Sequence, residues 1–309
     1  MILSYILRRT LWAIPVLWIV ATITFFMSHI VPGGPFDAEK NLPPQIMANI
    51  NAKYHLDKPL LVQYIFYLNR LAHGDLGVSY KYVNRTVNQI IGQALPVSME
   101  LGTTALLIAI VTGVTLGTIA AVVRGSSTDF AAMLLSTIGI SLPSFVVGAM
   151  LIFVVGIWLR LLPVALWESP WHVLLPAITL SVSPAAYLAR LTRAGVLEMM
   201  EKDWVRTARS KGLSNQATIY RHVLRNALIP IVTVLGPMIA ITITGSFVVE
   251  YIYAIPGMGR FFITAVSNRD YDLILGTSLI FAVIIFIANS LVDVVYGVLD
   301  PQLKVALKD

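Results

Sequence analysis

The chain alternates between long runs of apolar residues and shorter polar segments. Six runs lack Asp, Glu, Lys and Arg, and each is close to the length of about 20 residues that a helix needs to cross the roughly 30 Å hydrocarbon layer. Backbone groups in lipid must satisfy their own hydrogen bonds, so runs of this length are predicted to be helices. The six predicted membrane helices are residues 10–31, 101–123, 130–159, 173–189, 227–249 and 273–292.

A long polar segment separates the first two predicted membrane helices. Residues 45–55 follow two prolines and are predicted to form a short helix. Apolar residues then recur at helical spacing over 60–71 and 83–94, with a glycine-containing turn at 73–77 between them. We expect two or three short amphipathic helices over the outer mouth of the bundle, acting either as a structural lid or as a docking surface for an extracytoplasmic partner.

The composition supports the membrane assignment. Residues of the set AVILMFWYC make up 57% and charged residues 12%, and the mean hydropathy is +0.78; soluble domains have about 45–50% apolar and about 25% charged residues. We therefore predict an all-α polytopic membrane protein with six transmembrane helices. The first helix is expected to stay uncleaved, because its apolar run exceeds a signal-peptide core. The chain has no cysteine, which excludes disulfides and thiolate metal sites.

Lysine and arginine are distributed unevenly between the two ends of the predicted helices. Cytosolic loops carry an excess of these residues, so their placement predicts that both termini face the cytosol. This asymmetry accounts for most of the formal charge of +6, and no nucleic-acid partner is expected. The predicted inner ends contain Arg8, Arg9, Arg124, Arg190, Arg193, Lys202, Arg206, Arg209, Lys211, Arg221, Arg225, Lys304 and Lys308.

A charged stretch, residues 198–226, interrupts the apolar pattern between the fourth and fifth predicted helices. A helix is predicted over 204–210, Gly212 suits the left-handed turn that ends a helix, and Ser214 can cap a second helix. Such a pair of helices in a cytosolic loop would present a surface to a soluble partner. The basic residues are also what charge asymmetry alone would place in any cytosolic loop.

Hydroxyl side chains within the predicted spans are candidates to line an uncharged transport pathway, although they also pack helices together. Three acids near span ends, Glu100, Glu250 and Asp293, are expected to form structural pairs. A proton-coupled carrier would instead need acids near the midplane of the membrane. The candidate pathway residues are Thr112, Ser141, Ser144, Thr242 and Ser246.

The charged stretch at 198–226 resembles the coupling loop of permease subunits of binding-protein-dependent ABC importers, in the version used by peptide and nickel importers. The family pattern is Glu-Ala-Ala, three residues, Gly, nine residues, Ile-x-Leu-Pro. This chain keeps Ala208 and Gly212, and has Arg206 and Thr207 at the first two positions. The residues that the resemblance assigns to ATPase coupling are Arg206, Thr207, Ala208, Arg209, Lys211, Gly212 and Leu213.

Further stretches, among them residues 5–9, 31–36, 72–77, 245–250, 255–259 and 268–271, resemble the first, B-type, permease subunit of oligopeptide importers. The resemblance implies the type I ABC importer architecture in a bacterial cytoplasmic membrane. It also implies four kinds of partner: a sister permease subunit, two cytosolic ATPase subunits that use ATP and Mg, an extracytoplasmic peptide-binding protein, and the peptide substrate. Dipeptide, glutathione and nickel permeases of the same family are alternatives, and a proton-coupled carrier or a non-transporting scaffold are more distant ones.

The chain itself is not expected to be an enzyme. It contains no Gly-x-x-x-x-Gly-Lys-Ser/Thr phosphate loop, so ATP hydrolysis is assigned to the partner subunits, and no catalytic, cofactor or metal residues are predicted. The expected organisation is an N-terminal tail and first helix (1–31), an extracytoplasmic helical segment (32–97), a five-helix membrane core (98–300) with the coupling loop at 198–226, and a cytosolic tail (301–309).

Overall fold

The computed structural model describes residues 2–31, 33–36, 44–244 and 247–299. Within these ranges the chain is helical and contains no strand, only one isolated bridge between Val78 and Thr86. The predicted tail at 301–309 lies outside the described residues. The helices are α1 (Ile2–Ile30), α2 (Pro44–Lys53), α3 (Leu60–Ala72), α4 (Val87–Val122), α5 (Ser127–Ser141), α6 (Ser144–Leu151), α7 (Trp171–Met200), α8 (Asp203–Ser210), α9 (Asn215–Thr218), α10 (Leu224–Ala227), α11 (Ile229–Thr244), α12 (Phe247–Ile252), α13 (Met258–Asn268) and α14 (Tyr271–Leu299).

Five stretches of the described chain are long and apolar enough to cross a membrane, and one bent pair of helices supplies a sixth span. This arrangement confirms the predicted all-α polytopic membrane fold. The five stretches are Arg8–Ile30, Val87–Val122, Trp171–Met200, Ile229–Ile252 and Tyr271–Leu291.

The sixth span corrects the prediction of one continuous helix over 130–159. The chain bends by 109° between Ser127–Ser141 and Ser144–Trp158. The break falls at Leu142, whose backbone is extended, with φ −80° and ψ 128°. Proline disfavours a helical conformation in the residue that precedes it, so Pro143 explains the position of the break.

Helix α4 is much longer than its predicted span. Its 36 residues extend about 54 Å at 1.5 Å per residue, against a hydrocarbon layer of roughly 30 Å. Thr86 begins the helix with a capping box, in which its hydroxyl accepts from the N–H of Gln89 and its own N–H donates to the Gln89 side chain. The apolar pattern over 83–94 is therefore not a separate helix, and the expected boundary between residues 97 and 98 lies inside α4.

The centre of the bundle is the close contact between α4 and α7. A Cβ atom on Gly113 would lie 2.7 Å from the carbonyl oxygen of Ala185, and one on Gly117 would lie 2.3 Å from that of Ala189. Only glycine permits this approach, which is a common way for membrane helices to pack when hydrophobic burial cannot drive their association. The contact makes α4 and α7 a closely packed pair.

The two ends of the bundle differ. Residues 198–226, called the insert below, lie at one end, and α2 and α3 lie at the opposite end, called the far end. At the far end both Nη atoms of Arg70 donate to the carboxylate of Asp272, at 2.9 and 3.0 Å. Burial lowers the pKa of the Arg70 guanidinium, but the charge and hydrogen bonds of Asp272 outweigh it and raise that pKa overall. This ion pair joins α3 to the start of α14.

Candidate functional site: the helical insert and the membrane groove

The insert folds as two short helices joined by a tight turn. Gly212 has φ +83°, the N–H of Gly212 donates to the carbonyl oxygen of Arg209, and the N–H of Leu213 donates to that of Ala208. These bonds form a Schellman motif, which ends α8. The hydroxyl of Ser214 accepts from the N–H of Ala217 and caps α9. The predicted positions of the turn at Gly212 and the cap at Ser214 are confirmed.

One apolar side chain seats α8 on the membrane helices. Val205 is fully buried and belongs to a cluster of buried residues that includes Ala121 of α4 and Val196 of α7. Val223 and Ala227 anchor the second half of the insert in the same cluster. Burial of one valine contributes about 1.5–3 kcal/mol, so the insert is held firmly against the ends of α4 and α7.

The opposite face of the insert is exposed and basic. Two aromatic side chains also stand on the insert surface, Trp204 and Tyr220, and the latter is 69% exposed. Aromatic residues and arginine dominate the energetic centres of protein interfaces. Neither aromatic residue is among the contacts predicted from the sequence. Of the residues predicted to couple to an ATPase, Arg206, Thr207, Arg209, Lys211 and Gly212 are exposed, while Ala208 and Leu213 are half-buried.

A partly buried ion pair connects the membrane helices next to the insert. The Nε and Nη2 atoms of Arg193 donate to the two carboxylate oxygens of Asp129 at 2.6 and 2.7 Å. The N–H of Gly125 donates to the same carboxylate at 2.9 Å. This pair ties α7 to the first turn of α5. The two residues are 64 positions apart, so the sequence gives no local signal for this pair.

A groove of about 480 Å³ opens between α5, α7 and α11. Most of its lining is apolar, and the described lining includes no charged side chain. Four residues with hydroxyl groups, Ser183, Tyr187, Thr233 and Thr242, interrupt the apolar surface. The lining residues are Ile140, Ser183, Pro184, Tyr187, Thr233, Val234, Pro237, Met238, Ile241 and Thr242.

The five candidate pathway residues do not come together in this groove. Only Thr242 lines it. Thr112 and Ser141 are exposed, and each hydroxyl donates to the backbone four residues earlier, at 2.6 and 2.8 Å. Ser144 is exposed at the start of α6, and Ser246 lies outside the described residues. The sequence marks hydroxyl residues as candidates, but it does not tell which helix faces meet.

Glu250 has a structural role. Its carboxylate is fully buried, accepts from the Ser98 hydroxyl at 2.7 Å, and accepts from the N–H groups of Gly259 and Arg260 at 2.7 and 3.2 Å. A carboxylate at these N–H groups caps the start of α13, where the helix dipole also favours negative charge. The expected structural reading of Glu250 is confirmed, and the side chain of Asp293 lies outside the described residues.

Comparison with known proteins gives consistent results. The family described as "Binding-protein-dependent transport system inner membrane component" matches residues 113–305, and its N-terminal companion matches residues 2–102. The dipeptide transport system permease protein DppB of Bacillus subtilis (strain 168) is 44% identical over 305 residues, which are 98% of this chain and 99% of that protein. The oligopeptide transport system permease protein OppB of Salmonella typhimurium (strain LT2) is 43% identical over 304 residues, with coverage of 98% and 99%.

Two solved structures share the fold. An amino acid ABC transporter is 17% identical with a TM-score of 0.53, over 66% of this chain and 92% of that one. The MetNI methionine ABC transporter is 16% identical with a TM-score of 0.52, over 67% and 96%. At these identities the similarity shows the fold alone. The family match and the near-complete coverage of relatives above 40% identity together show that the chain belongs to the binding-protein-dependent transport system inner membrane components.

Proposed function

We propose that this chain is a permease subunit of an ATP-driven peptide importer, in which it forms half of the transport pathway. The observation that supports this most directly is the insert, a basic and aromatic surface seated rigidly on the ends of α4 and α7. The relatives are named for dipeptide and oligopeptide transport. Their identities to this chain differ by one percentage point, 44% against 43%, so dipeptide transport is the second candidate beside oligopeptide transport.

The proposed location is a bacterial cytoplasmic membrane, with the insert and both termini in the cytosol. The exposed arginines and lysines of the insert favour this orientation, because positive residues accumulate on the cytosolic side. Arg124, Arg190 and Arg193 lie at the same end of the bundle and add to that asymmetry. The far end, with α2 and α3, would then face outward.

The insert is proposed as the docking surface for cytosolic ATPase subunits. Arg206, Thr207, Arg209 and Lys211 are exposed on its surface. ATP and Mg would bind to the ATPase subunits, because this chain has no phosphate loop. Movement of the ATPase subunits would act on α8. Since Val205 shares one buried cluster with Ala121 of α4 and Val196 of α7, a displacement of α8 would be passed to that helix pair.

The groove between α5, α7 and α11 is proposed as this subunit's wall of the pathway, and a sister permease subunit would complete the channel. Its apolar surface with scattered hydroxyls suits peptides of varied sequence, since it offers no fixed charge to select side chains. Alternation between inward-open and outward-open states would result from rocking of the packed helices. Peptide selection would then rest mainly with the extracytoplasmic binding protein.

Affinity purification of the intact assembly tests this function. The expected result is co-purification of a second permease and two ATPase subunits that contain phosphate loops, with ATP hydrolysis stimulated by the peptide-loaded binding protein. Uptake in vesicles should be blocked by vanadate and unaffected by collapse of the proton gradient. Recovery of the chain without ATPase subunits, together with uptake that follows the proton gradient, would contradict the proposal.

A further inference from the structure

Residues 78–86 form a tight hairpin at the far end of the bundle, called the hairpin below. Val78 and Thr86 pair as an antiparallel bridge, the N–H of Ser79 donates to the carbonyl oxygen of Arg85 at 3.2 Å, and Asn84 adopts the left-handed conformation that closes such a turn, with φ +61°. The hairpin leads directly into α4. Its conformation is therefore fixed at its base by the longest helix of the protein.

Two buried carboxylates hold the hairpin on the start of α14. Asp270 is 1% exposed; it accepts a hydrogen bond from the Ser79 hydroxyl and one from the N–H of Lys81 at 3.3 Å. Asp272, already paired with Arg70, accepts from the N–H of Val78 at 3.2 Å. Charge-assisted hydrogen bonds of this kind are among the stronger ones in proteins. The hairpin is thus prepared in one conformation and does not need to be ordered by a partner.

The tip of the hairpin combines an exposed apolar residue with positive charge. Val83 is 79% exposed. Tyr82 packs edge-on against Phe261 of α13, with ring centroids 5.5 Å apart. Burial raises the pKa of the Tyr82 phenol, while the positive charges of Arg260 and Arg85 nearby oppose that rise. These two arginines donate to Ala254 and Gln93, and neither forms an ion pair within the described part of the chain.

The base of the hairpin is level with the start of the apolar stretch of α14. The N–H of Val78 donates to Asp272, and a Cβ atom on Gly276 would lie 2.5 Å from a methyl carbon of Val87. Because Tyr271–Leu291 is long enough to cross the hydrocarbon layer, the hairpin lies at the far edge of that layer. Its tip exposes a single valine, which is a small apolar area for insertion into a bilayer surface, so a protein is the occupant that the tip suits.

We propose that the hairpin, together with Arg260, is the element on which the extracytoplasmic binding protein docks, and that the docking surface of that protein is acidic. This inference rests on the proposed function and orientation. An exposed apolar tip beside tyrosine and arginine has the composition of an interface centre, and the uncompensated arginines supply the charge complementarity. Because Asp270 and Asp272 attach the hairpin to α14, docking would bear directly on a membrane helix.

The test compares the complete wild-type assembly in nanodiscs with assemblies that carry single substitutions in this chain, each with the purified, peptide-loaded binding protein. Arg260→Glu and Val83→Asp are each expected to raise the binding-protein concentration that gives half-maximal stimulation of ATP hydrolysis by at least about fivefold. Basal hydrolysis should stay unchanged, because the hairpin is far from the insert. Val83→Leu keeps the apolar tip and should behave as wild type. The effect of Arg260→Glu should weaken as salt concentration rises.

Lys58→Glu is the matched control, since it makes the same charge change at an exposed lysine of the same far-end segment, outside the hairpin. It is expected to shift the half-maximal concentration less than twofold. Equal effects of Lys58→Glu and Arg260→Glu, or no effect of Val83→Asp, would overturn the docking site while leaving the importer function intact. A wild-type assembly that does not respond to the binding protein would overturn both.

Discussion

Replacement of Gly212 by valine isolates the contribution of the insert turn. Gly212 has φ +83°, a conformation that costs an L-residue roughly 1–2 kcal/mol, with β-branched side chains the least tolerant. A Cβ atom at this position would meet nothing within 4 Å. The cost is therefore confined to the backbone of the turn, with no steric clash added to it.

The size of this strain decides what happens to the insert. This strain is close to the roughly 1.5–3 kcal/mol by which burial of Val205 stabilises the packing of α8 on the membrane helices. A change of 1–2 kcal/mol shifts the equilibrium between two conformations of the turn by about 5- to 30-fold. The turn is thus expected to rearrange and to tilt α8 relative to α9. The membrane helices, whose packing does not involve Gly212, should insert and assemble as before.

The assay measures three quantities for each variant: the amount of protein in the membrane, the amount of ATPase subunit that co-purifies, and ATP-driven peptide uptake. For Gly212→Val, membrane content should stay near wild type while co-purified ATPase and uptake fall together. Gly212→Asn is the matched control, because asparagine tolerates the left-handed region, and it should retain most of the uptake. Normal uptake with Gly212→Val would refute the coupling role of this turn, as would an equal loss with Gly212→Asn.

Three further predictions follow from other parts of the structure. Cysteines introduced at exposed positions of this cysteine-free chain should report orientation: Val83→Cys should react with an impermeant reagent from outside, and Gln216→Cys only after the membrane is opened; reversed labelling would contradict the orientation. Arg70→Met leaves the Asp272 carboxylate buried without its partner and should lower the free energy of unfolding. The loss should be at most about 3 kcal/mol, because Arg70 is partly exposed. In thermal unfolding, the double variant Arg70→Met with Asp272→Asn should recover most of this loss. Thr242→Val should slow uptake of peptides of different sequence by similar factors, whereas a change in which peptides are transported would reveal a selective site in this subunit.

Local features of the fold could be predicted because their causes are local. A membrane span follows from a run of apolar residues about 20 long, and the insert turn follows from Gly212 and Ser214 within three positions of each other. The break at Leu142 has an equally local cause in Pro143. A proline in an apolar run indicates a possible kink, but it does not distinguish a kink from a bend of 109°. The start of α4 was missed for the opposite reason, because the helix leaves the lipid and continues through a segment whose polarity resembles a loop.

Pairs that are distant in the chain could not be predicted. Two examples are the ion pairs Arg193–Asp129 and Arg70–Asp272. Each of these charged residues has many possible partners along the chain, and the sequence alone does not tell which two meet. The pathway candidates illustrate the same limit: Thr112 and Thr242 are equivalent as residues, and only the packing of α11 against α5 and α7 places one of them in the groove. Helix periodicity identifies a face, whereas the neighbouring helix determines what that face meets.

Helix α4 connects the two proposed docking surfaces. It begins at Val87, immediately after the hairpin, and Ala121 near its end belongs to the buried cluster that seats the insert through Val205. Gly113 and Gly117, in its second half, allow close backbone contact with α7, so a movement of α4 would displace that helix as well. Binding of a protein at the hairpin would thus act on the insert, the proposed docking surface of the ATPase, through one continuous helix. Both proposed partners would act on the same closely packed pair of helices, and a shared element whose arrangement both sites bias is a route for coupling between them.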